Sequence, residues 1–173
     1  MTHASVTTEH VASNDAGLIE RTPLMELTRT GAESRLLMKL EQFNPTGSTK
    51  VRMAREMILA AERSDMLKPG GTIAEPTSGN TGTGLALVAI ERGYRFIAVV
   101  DRHASKDKLR AMQAIGAHLV MVEGSGEGPS TVERRRIAGE IARDTGAFWP
   151  DQHHNPNNNV GYAGLADELL SDL

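Results

Sequence analysis

Apolar residues follow two alternating patterns along most of this chain: short continuous runs, and longer segments in which they recur at helical spacing. The continuous runs predict buried strands, and the helically spaced segments predict amphipathic helices. The predicted strands cover residues 72–74, 95–100, 118–122 and 147–149, and the predicted helices cover residues 48–65, 80–93, 105–115 and 131–144. Strands that alternate with helices in this way are typical of an α/β protein.

The alternation predicts an open, mostly parallel sheet with helices on both faces and right-handed crossovers. Ligands of such sheets bind outside the carboxyl ends of the strands. Two polar runs connect a strand to a helix: residues 44–50, Asn-Pro-Thr-Gly-Ser-Thr-Lys, and residues 75–84, Glu-Pro-Thr-Ser-Gly-Asn-Thr-Gly-Thr-Gly. We therefore expect both runs to face one cleft.

The segments outside this alternation are less regular. Residues 1–17 are polar and lack a hydrophobic period, which predicts a flexible tail. Apolar residues at 22–27 and 35–40 predict two short strands, with a turn at Gly31 between them. Residues 124–130 predict a loop.

Lys50 has an electrostatically unfavourable position in this pattern. With Ser48 as the N-cap, Lys50 falls in the first turn of the helix predicted over 48–65. The positive end of the helix dipole disfavours a cation there by about 0.3–1 kcal/mol, and Arg52 adds a second positive charge. No acid follows to complete a capping box, so the charged form of Lys50 is disfavoured and its amine is a candidate nucleophile. The alternative is a solvated lysine without a function.

The glycine-rich run 75–84 does not fit the common phosphate-binding loops. Gly79, Gly82 and Gly84 have the spacing G-x-x-G-x-G rather than the dinucleotide fingerprint, and Leu85-Ala86 stands where a Walker loop requires Lys-Ser/Thr. What the run offers is a set of hydroxyls, an amide and backbone N–H groups at a helix N-terminus. Such donors suit a carboxylate.

Composition narrows the function classes. The chain has 173 residues, 39% of them hydrophobic, and a formal net charge of -3 without a long basic run, which argues against nucleic acid and an anionic membrane as partners. It has no cysteine, so disulfides, thiolate metal sites and a cysteine nucleophile are excluded. No apolar run approaches a membrane span, and the first 14 residues lack the apolar core of a secretory signal. These features favour a cytoplasmic protein.

Three other groups of residues have simple structural interpretations. The run 133–136, Glu-Arg-Arg-Arg, is read as the solvated face of a helix. His153 and His154 lack a further ligand at metal-binding spacing, so no metal site is predicted. The methionines Met53, Met57, Met112 and Met121 are expected to fill the core.

The two strand-to-helix motifs resemble those of the cysteine synthase and cystathionine β-synthase family, which are fold type II pyridoxal-phosphate enzymes. The resemblance extends from about Leu18 to the end of the chain, and the two motifs stand at the separation found in the family. Asp151-Gln152, followed by Asn155-Pro156, is similar to the family segment that reaches into the active site. The residue after the lysine is Val51, where the family often has aspartate.

The resemblance implies pyridoxal 5'-phosphate as the cofactor and assigns roles to the polar residues. Lys50 would bind the cofactor covalently and later move protons at the α-carbon of the substrate. Asn80 would hydrogen-bond the phenolic oxygen of the cofactor. The substrate carboxylate would be bound by Thr77, Ser78, Gly79, Thr81 and Gln152. Closure of the 77–82 loop over that carboxylate would exclude water.

The resemblance covers only the N-terminal portion of the family, whose members continue for well over a hundred residues with the loop that holds the cofactor phosphate and the residue that faces the pyridine nitrogen. We therefore expect four regions: a tail at 1–17, strands at 18–46 that join the larger domain, a small α/β domain at 47–149, and the start of an incomplete C-terminal domain at 150–173. Leu165, Leu169 and Leu170 would then lack a core. A homodimer, or a complementary chain as partner, is expected.

The function that the resemblance implies is β-replacement on an activated serine, as in cysteine synthesis from O-acetylserine or O-phosphoserine and sulfide. A small amino acid is the expected substrate. One alternative is a 2,3-diaminopropionate synthase-like enzyme of specialised metabolism. Another is a catalytically inactive remnant that acts as a binding or partner chain.

Overall fold

A computed structural model describes residues 18–28, 34–123 and 131–173. The predicted tail at 1–17, the predicted turn at Gly31 and the predicted loop at 124–130 lie outside the described residues. The strands are β1 (Leu24–Glu26), β2 (Leu37–Lys39), β3 (Thr72–Pro76), β4 (Arg95–Asp101) and β5 (His118–Val122). The helices are α1 (Lys50–Arg63), α2 (Asn80–Glu91), α3 (Lys106–Ile115), α4 (Thr131–Thr145), α5 (Asn157–Val160) and α6 (Ala163–Asp172).

The central sheet is parallel, with the strand order β3-β4-β5, which confirms the predicted fold class. Thr72 pairs with Arg95 at one end of the β3-β4 ladder, and Pro76 pairs with Val99 at the other. β3 is two residues longer than predicted, because Glu75 and Pro76 continue the pairing although their residue types favour a loop.

The strand predicted at 147–149 is reduced to a single parallel bridge between Phe148 and Ile73. The Phe148 N–H donates to the Thr72 carbonyl at 2.8 Å, and the Ala74 N–H donates to the Phe148 carbonyl at 2.9 Å. Pro150 follows and has no N–H group, so it cannot donate to a longer ladder.

Helices cover both faces of the sheet. The larger core cluster lies between α1, α2, α3 and one face of the sheet, and Met57, Ile73 and Leu85 are completely buried there. On the other face, Ala138 of α4 packs with Val99 and Val122. Met121 is 52% exposed, so its prediction as a core residue was wrong, because its neighbour Val122 takes the inward position on β5.

β1 and β2 form a separate antiparallel pair in which Met25 lies opposite Met38. Both strands are shorter than predicted. Lys39, the last residue of β2, forms ion pairs with Glu168 and Asp172 of α6, at 2.9 and 3.0 Å. The assignment of this region to a larger domain stays a prediction.

The last helix is only partly buried. Leu165 and Leu169 are half-buried, whereas Leu170 is 77% exposed, so the expectation that all three leucines lack a core holds for Leu170 alone. Within the described residues, no helix combines the length and apolarity that a membrane span requires.

Candidate active site

The two polar motifs open neighbouring helices, and a glycine brings these helices together. A β-carbon built on Gly84 of α2 would lie 3.1 Å from the Val51 α-carbon and 3.2 Å from the Lys50 carbonyl oxygen of α1. A larger residue would therefore push the two helices apart. The run that follows β3 and the first turn of α1 thus lie close together, and the expectation that both runs face one cleft stays a prediction.

The chain reaches Lys50 through a tight turn. The 3₁₀ turn Pro45–Gly47 contains Thr46 at a φ of 71°, a conformation that is unfavourable for a β-branched residue. After this turn α1 begins at Lys50, with Thr49 rather than the predicted Ser48 at the N-cap position. Ser48 still assists the helix start, because its Oγ accepts a hydrogen bond of 3.1 Å from the Lys50 N–H.

The Lys50 amine contacts a residue that the sequence did not indicate. Its Nζ lies 3.2 Å from the Tyr162 hydroxyl and 5.6 Å from the centroid of that ring. Gly161 permits this contact, since a β-carbon there would lie 2.6 Å from the Met53 α-carbon. Tyr162 is 112 residues from Lys50, and a tyrosine after a glycine carries no local signal of a catalytic contact.

Arg52, the second cation of the first turn, is compensated from distant parts of the chain. Its guanidinium donates to Glu41 at 2.8 and 2.9 Å and to Glu168 at 2.7 and 3.0 Å, and its side chain is 1% exposed. Burial works to raise the pKa of Glu168, but hydrogen bonds from Arg52 and Lys39 lower it to about 2. The first turn of α1 contains no acid that could compensate the charge of Arg52, but Glu41 and Glu168 compensate it in the folded chain.

The residues predicted to bind a carboxylate line one polar cavity of about 400 Å³. Its lining includes Thr77, Ser78, Gly79, Asn80, Thr81, Thr131, Arg134, Arg135, Gln152 and His153. The Thr81 hydroxyl donates a hydrogen bond of 2.8 Å to Oε1 of Gln152, which joins the glycine-rich run to the predicted active-site segment. Lys50 does not line this cavity; its amine faces Tyr162.

Glu75 precedes Pro76, the last residue of β3 and part of the cavity lining, and is 1% exposed. Its carboxylate accepts hydrogen bonds from the backbone N–H groups of Asp151, at 2.9 Å, and Gln152, at 3.3 Å. Burial raises the pKa of Glu75 to about 7, against the opposing effect of these hydrogen bonds. The sequence placed Glu75 in a motif but gave it no role.

Two arginines of α4 also turn towards this region, which corrects their prediction as a solvated face. Arg134 is 8% exposed, and its Nε lies 3.1 Å from the Asp101 carboxylate. Arg135 donates to both carboxylate oxygens of Asp151, at 2.9 and 3.3 Å, and stacks on Trp149 with 5.2 Å to the ring centroid. Of the three arginines, Arg136 alone fits the prediction, since it is exposed and pairs with Glu133 and Glu140 of its own helix.

Two side chains contact the Asp151 carboxylate. Besides Arg135, Nδ1 of His154 lies 3.0 Å from its carboxylate. Burial works to raise the pKa of Asp151, but the hydrogen bonds from Arg135 and His154 lower it overall. In the part of the chain that the structure describes, no cluster of three or more histidine or acidic side chains could hold a metal ion.

The residues of this corner fit pyridoxal phosphate chemically. Lys50 supplies a primary amine that can react with a carbonyl group. α2 begins after Gly79 without a hydrogen bond from a capping side chain, and a β-carbon on Gly79 would meet open space. This helix end therefore leaves room and backbone donors for an anionic group.

Comparison with known proteins finds relatives among enzymes that are named for amino-acid synthesis. A provisionally named cysteine synthase of Sinorhizobium fredii is 50% identical over 159 residues, which are 90% of this chain and 47% of that protein. The O-ureido-L-serine synthase of Streptomyces lavendulae is 40% identical over 157 residues, 90% of this chain and 48% of that protein. The chain thus spans about half the length of the curated relatives it matches.

Solved structures of related enzymes match the fold of this chain. The crystal structure of an O-ureido-L-serine synthase matches with a TM-score of 0.84 and 38% identity, over 94% of this chain and 51% of that one. The O-acetylserine dependent cystathionine beta-synthase of Helicobacter pylori matches with a TM-score of 0.84 and 31% identity, over 94% of this chain and 54% of that one. The family model for pyridoxal-phosphate dependent enzymes matches residues 16–173. This chain is therefore a member of the pyridoxal-phosphate dependent enzyme family.

Proposed function

We propose that the protein to which this chain belongs catalyses β-replacement on an activated serine, in the manner of a cysteine synthase. The observation that carries the proposal is the close packing of α1, which begins at Lys50, against α2 at Gly84, together with the hydrogen bond from Thr81 of the same α2 helix to Gln152. In the proposed reaction, the substituent on the β-carbon leaves with the electron pair of its C–O bond, and the nucleophile forms a new bond to that carbon. The α-proton that is removed as the substituent leaves returns to the same carbon after the nucleophile has added, and the proton that the nucleophile loses passes to solvent.

The cavity residues would bind the α-carboxylate of the amino acid. Thr77, Ser78 and Thr81 offer hydroxyl groups, Gly79 and its neighbours offer N–H groups, and Gln152 offers a side-chain amide. The positive end of the α2 dipole lies at the same place. A substrate bound by its carboxylate in this way has its α-carbon fixed relative to the protein, which favours proton transfer at one defined atom.

Lys50 and Asn80 would hold the cofactor, which supplies an electron sink for negative charge at the α-carbon of the substrate. The Lys50 amine would remove the α-proton and return it after the nucleophile has added. The Tyr162 hydroxyl, 3.2 Å from Nζ, would orient that amine.

The test of this role is a titration with pyridoxal phosphate, followed by visible absorption. Wild-type protein is expected to develop the absorption of a lysine-bound cofactor, and Lys50→Ala is expected to lose both that absorption and turnover of O-acetyl-L-serine with sulfide. Lys68→Ala is the matched control, because the Lys68 side chain is 67% exposed and forms an ion pair with Asp65 in its own turn. An unchanged absorption and turnover in Lys50→Ala would overturn the proposal.

A second candidate has a nucleophile other than sulfide, as in a 2,3-diaminopropionate synthase-like enzyme. The relative from Streptomyces lavendulae favours it, since that protein is named for O-ureido-L-serine rather than for cysteine. Parallel assays of sulfide and amine nucleophiles with O-acetyl-L-serine and O-phospho-L-serine decide between the two. A kcat/KM for an amine at least tenfold above that for sulfide would replace cysteine synthesis as the proposed reaction.

Assembly and location are part of the same proposal. We infer a cytoplasmic protein that acts as a homodimer or together with a complementary chain. Sedimentation at several protein concentrations tests the assembly, and a strictly monomeric species at all of them would contradict it. A chain that takes up no cofactor and binds only a partner would support the remnant interpretation instead.

A further inference from the structure

The segment Asp151–Gln152 has an unusual backbone geometry for its place in the site. Asp151 has a φ of 45°, in the left-handed region, although it is not a glycine. Such a conformation persists only where surrounding contacts impose it. Gln152, the next residue, lines the polar cavity and accepts the hydrogen bond from Thr81.

Glu75 is the contact that can impose this geometry. One carboxylate oxygen accepts the Asp151 N–H at 2.9 Å and the other accepts the Gln152 N–H at 3.3 Å, so two successive peptide groups are fixed by one side chain. Glu75 itself is held in β3, where it pairs with Ala98 of β4, and its exposure is 1%. The pairing of β3 with β4 therefore fixes the position of this carboxylate.

The side chain of Asp151 is fixed independently of Glu75. Arg135 binds both of its carboxylate oxygens, and His154 binds one of them. These contacts hold the turn from its other side, but they do not reach the Gln152 backbone. The Asn158 side-chain amide holds the Gln152 carbonyl at 2.6 Å, whereas the N–H groups of both Asp151 and Gln152 are held by Glu75.

We propose that Glu75 is a positioning residue, whose carboxylate holds the Asp151–Gln152 turn so that Gln152 and Thr81 together complete the site for the substrate carboxylate. The inference rests on the proposed function for the identity of the bound group. It requires no contact between Glu75 and the substrate. In the orientation of the Glu75 carboxylate, a glutamine would place its NH₂ group opposite one of the two N–H groups, so one of these hydrogen bonds would be lost.

The test compares Glu75→Gln with wild type in two measurements on the cofactor-loaded protein. In steady-state kinetics with O-acetyl-L-serine, KM is expected to rise about tenfold or more, while kcat changes by less than about threefold. In amide hydrogen exchange, the Asp151 and Gln152 amides are expected to exchange at least about tenfold faster, while the amides of β4 keep their wild-type rates. An unchanged exchange rate at these two amides, or an unchanged KM, overturns the role of Glu75.

Two further variants keep the test decisive. Glu62→Gln is the matched control, because Glu62 also accepts hydrogen bonds, from Arg92 and Tyr94, but lies outside the candidate site; it is expected to change neither measurement. Gln152→Ala keeps Glu75 in place and is expected to raise KM as much as Glu75→Gln does. If Glu75→Gln fails to fold, a wild-type KM in Gln152→Ala still refutes the inference.

The two proposals fail in different ways. If wild-type protein turns over no β-substituted serine, the proposed function fails, while amide exchange still decides whether Glu75 holds the turn. If turnover is normal in wild type and Glu75→Gln alike, only the role of Glu75 fails.

Discussion

The buried ion cluster of Arg52, Glu41 and Glu168 gives the largest stability effect that we expect from a single substitution. Arg52→Met would remove the cation shared by two carboxylates with side-chain exposures of 16% and 14%, and would leave Glu168 with Lys39 as its remaining ion-pair partner. Removing one partner of a buried ion pair costs about 3–5 kcal/mol, because the remaining charge stays desolvated. The whole free energy of unfolding of a domain is about 5–15 kcal/mol, so this loss is a large share of it.

The assay is equilibrium unfolding in urea at pH 7, for wild type and variant. The matched control is Arg55→Met in the same helix, since the Arg55 side chain is 25% exposed and forms an ion pair with the half-exposed Glu20 at 3.0 Å. A pair of that kind contributes about 0–1 kcal/mol. A loss below about 1 kcal/mol in Arg52→Met would refute the reasoning, because it would mean that the two carboxylates are solvated or relax at little cost.

The same cluster predicts a pH dependence. The pKa of Glu168 is lowered to about 2 in the folded state, so its contribution to stability is present above its ordinary pKa of 4.5 and is lost as the pH falls towards 2. Arg52→Met removes the main cause of that lowered pKa. The difference in unfolding free energy between wild type and Arg52→Met is therefore expected to shrink between pH 4.5 and pH 2. A constant difference over this range would contradict the assignment.

Three further predictions concern the candidate site. Tyr162→Phe keeps the ring over Lys50 but removes the hydroxyl. We expect kcat to fall by up to about tenfold, because the Lys50 amine loses the hydrogen bond that orients it. An unchanged kcat would contradict this orienting role. Gly84→Ala is expected to destabilise the fold by about 1–3 kcal/mol in thermal unfolding, because its β-carbon meets the α1 backbone. Gly164→Ala, in an uncrowded turn of α6, should instead stabilise it by about 0.5–1 kcal/mol, and equal effects would refute the packing argument. The pKa of Glu75 is raised from 4.5 to about 7 in the folded state. Between these pH values the folded state keeps a proton that the unfolded state has released. The free energy of unfolding is therefore expected to fall by about 3 kcal/mol as the pH rises from 4.5 to 7. Glu75→Gln should lack this component, and an identical pH profile for the variant would contradict it.

The sequence by itself determined the order of the elements and the place of the motifs. Strand and helix periods are local properties, and β4, β5, α3 and α4 lie close to their predicted bounds. Lys50 in the first turn of a helix, and the run 77–81 between a strand and a helix, follow from the same local patterns. These patterns also carried the family resemblance, which the family match confirms.

The tertiary structure decided which charges are buried and what holds the site. Arg52 pairs with Glu168 across 116 residues, and Glu75 holds a turn that begins 76 residues later. Local rules consider neighbours within about one helical turn, so they described Arg52 as uncompensated and Arg134 as solvated. The free energy of burying a charge depends on partners that only the folded chain brings within hydrogen-bond distance, and for this reason Tyr162, Glu75 and the arginine contacts could not be predicted from local sequence.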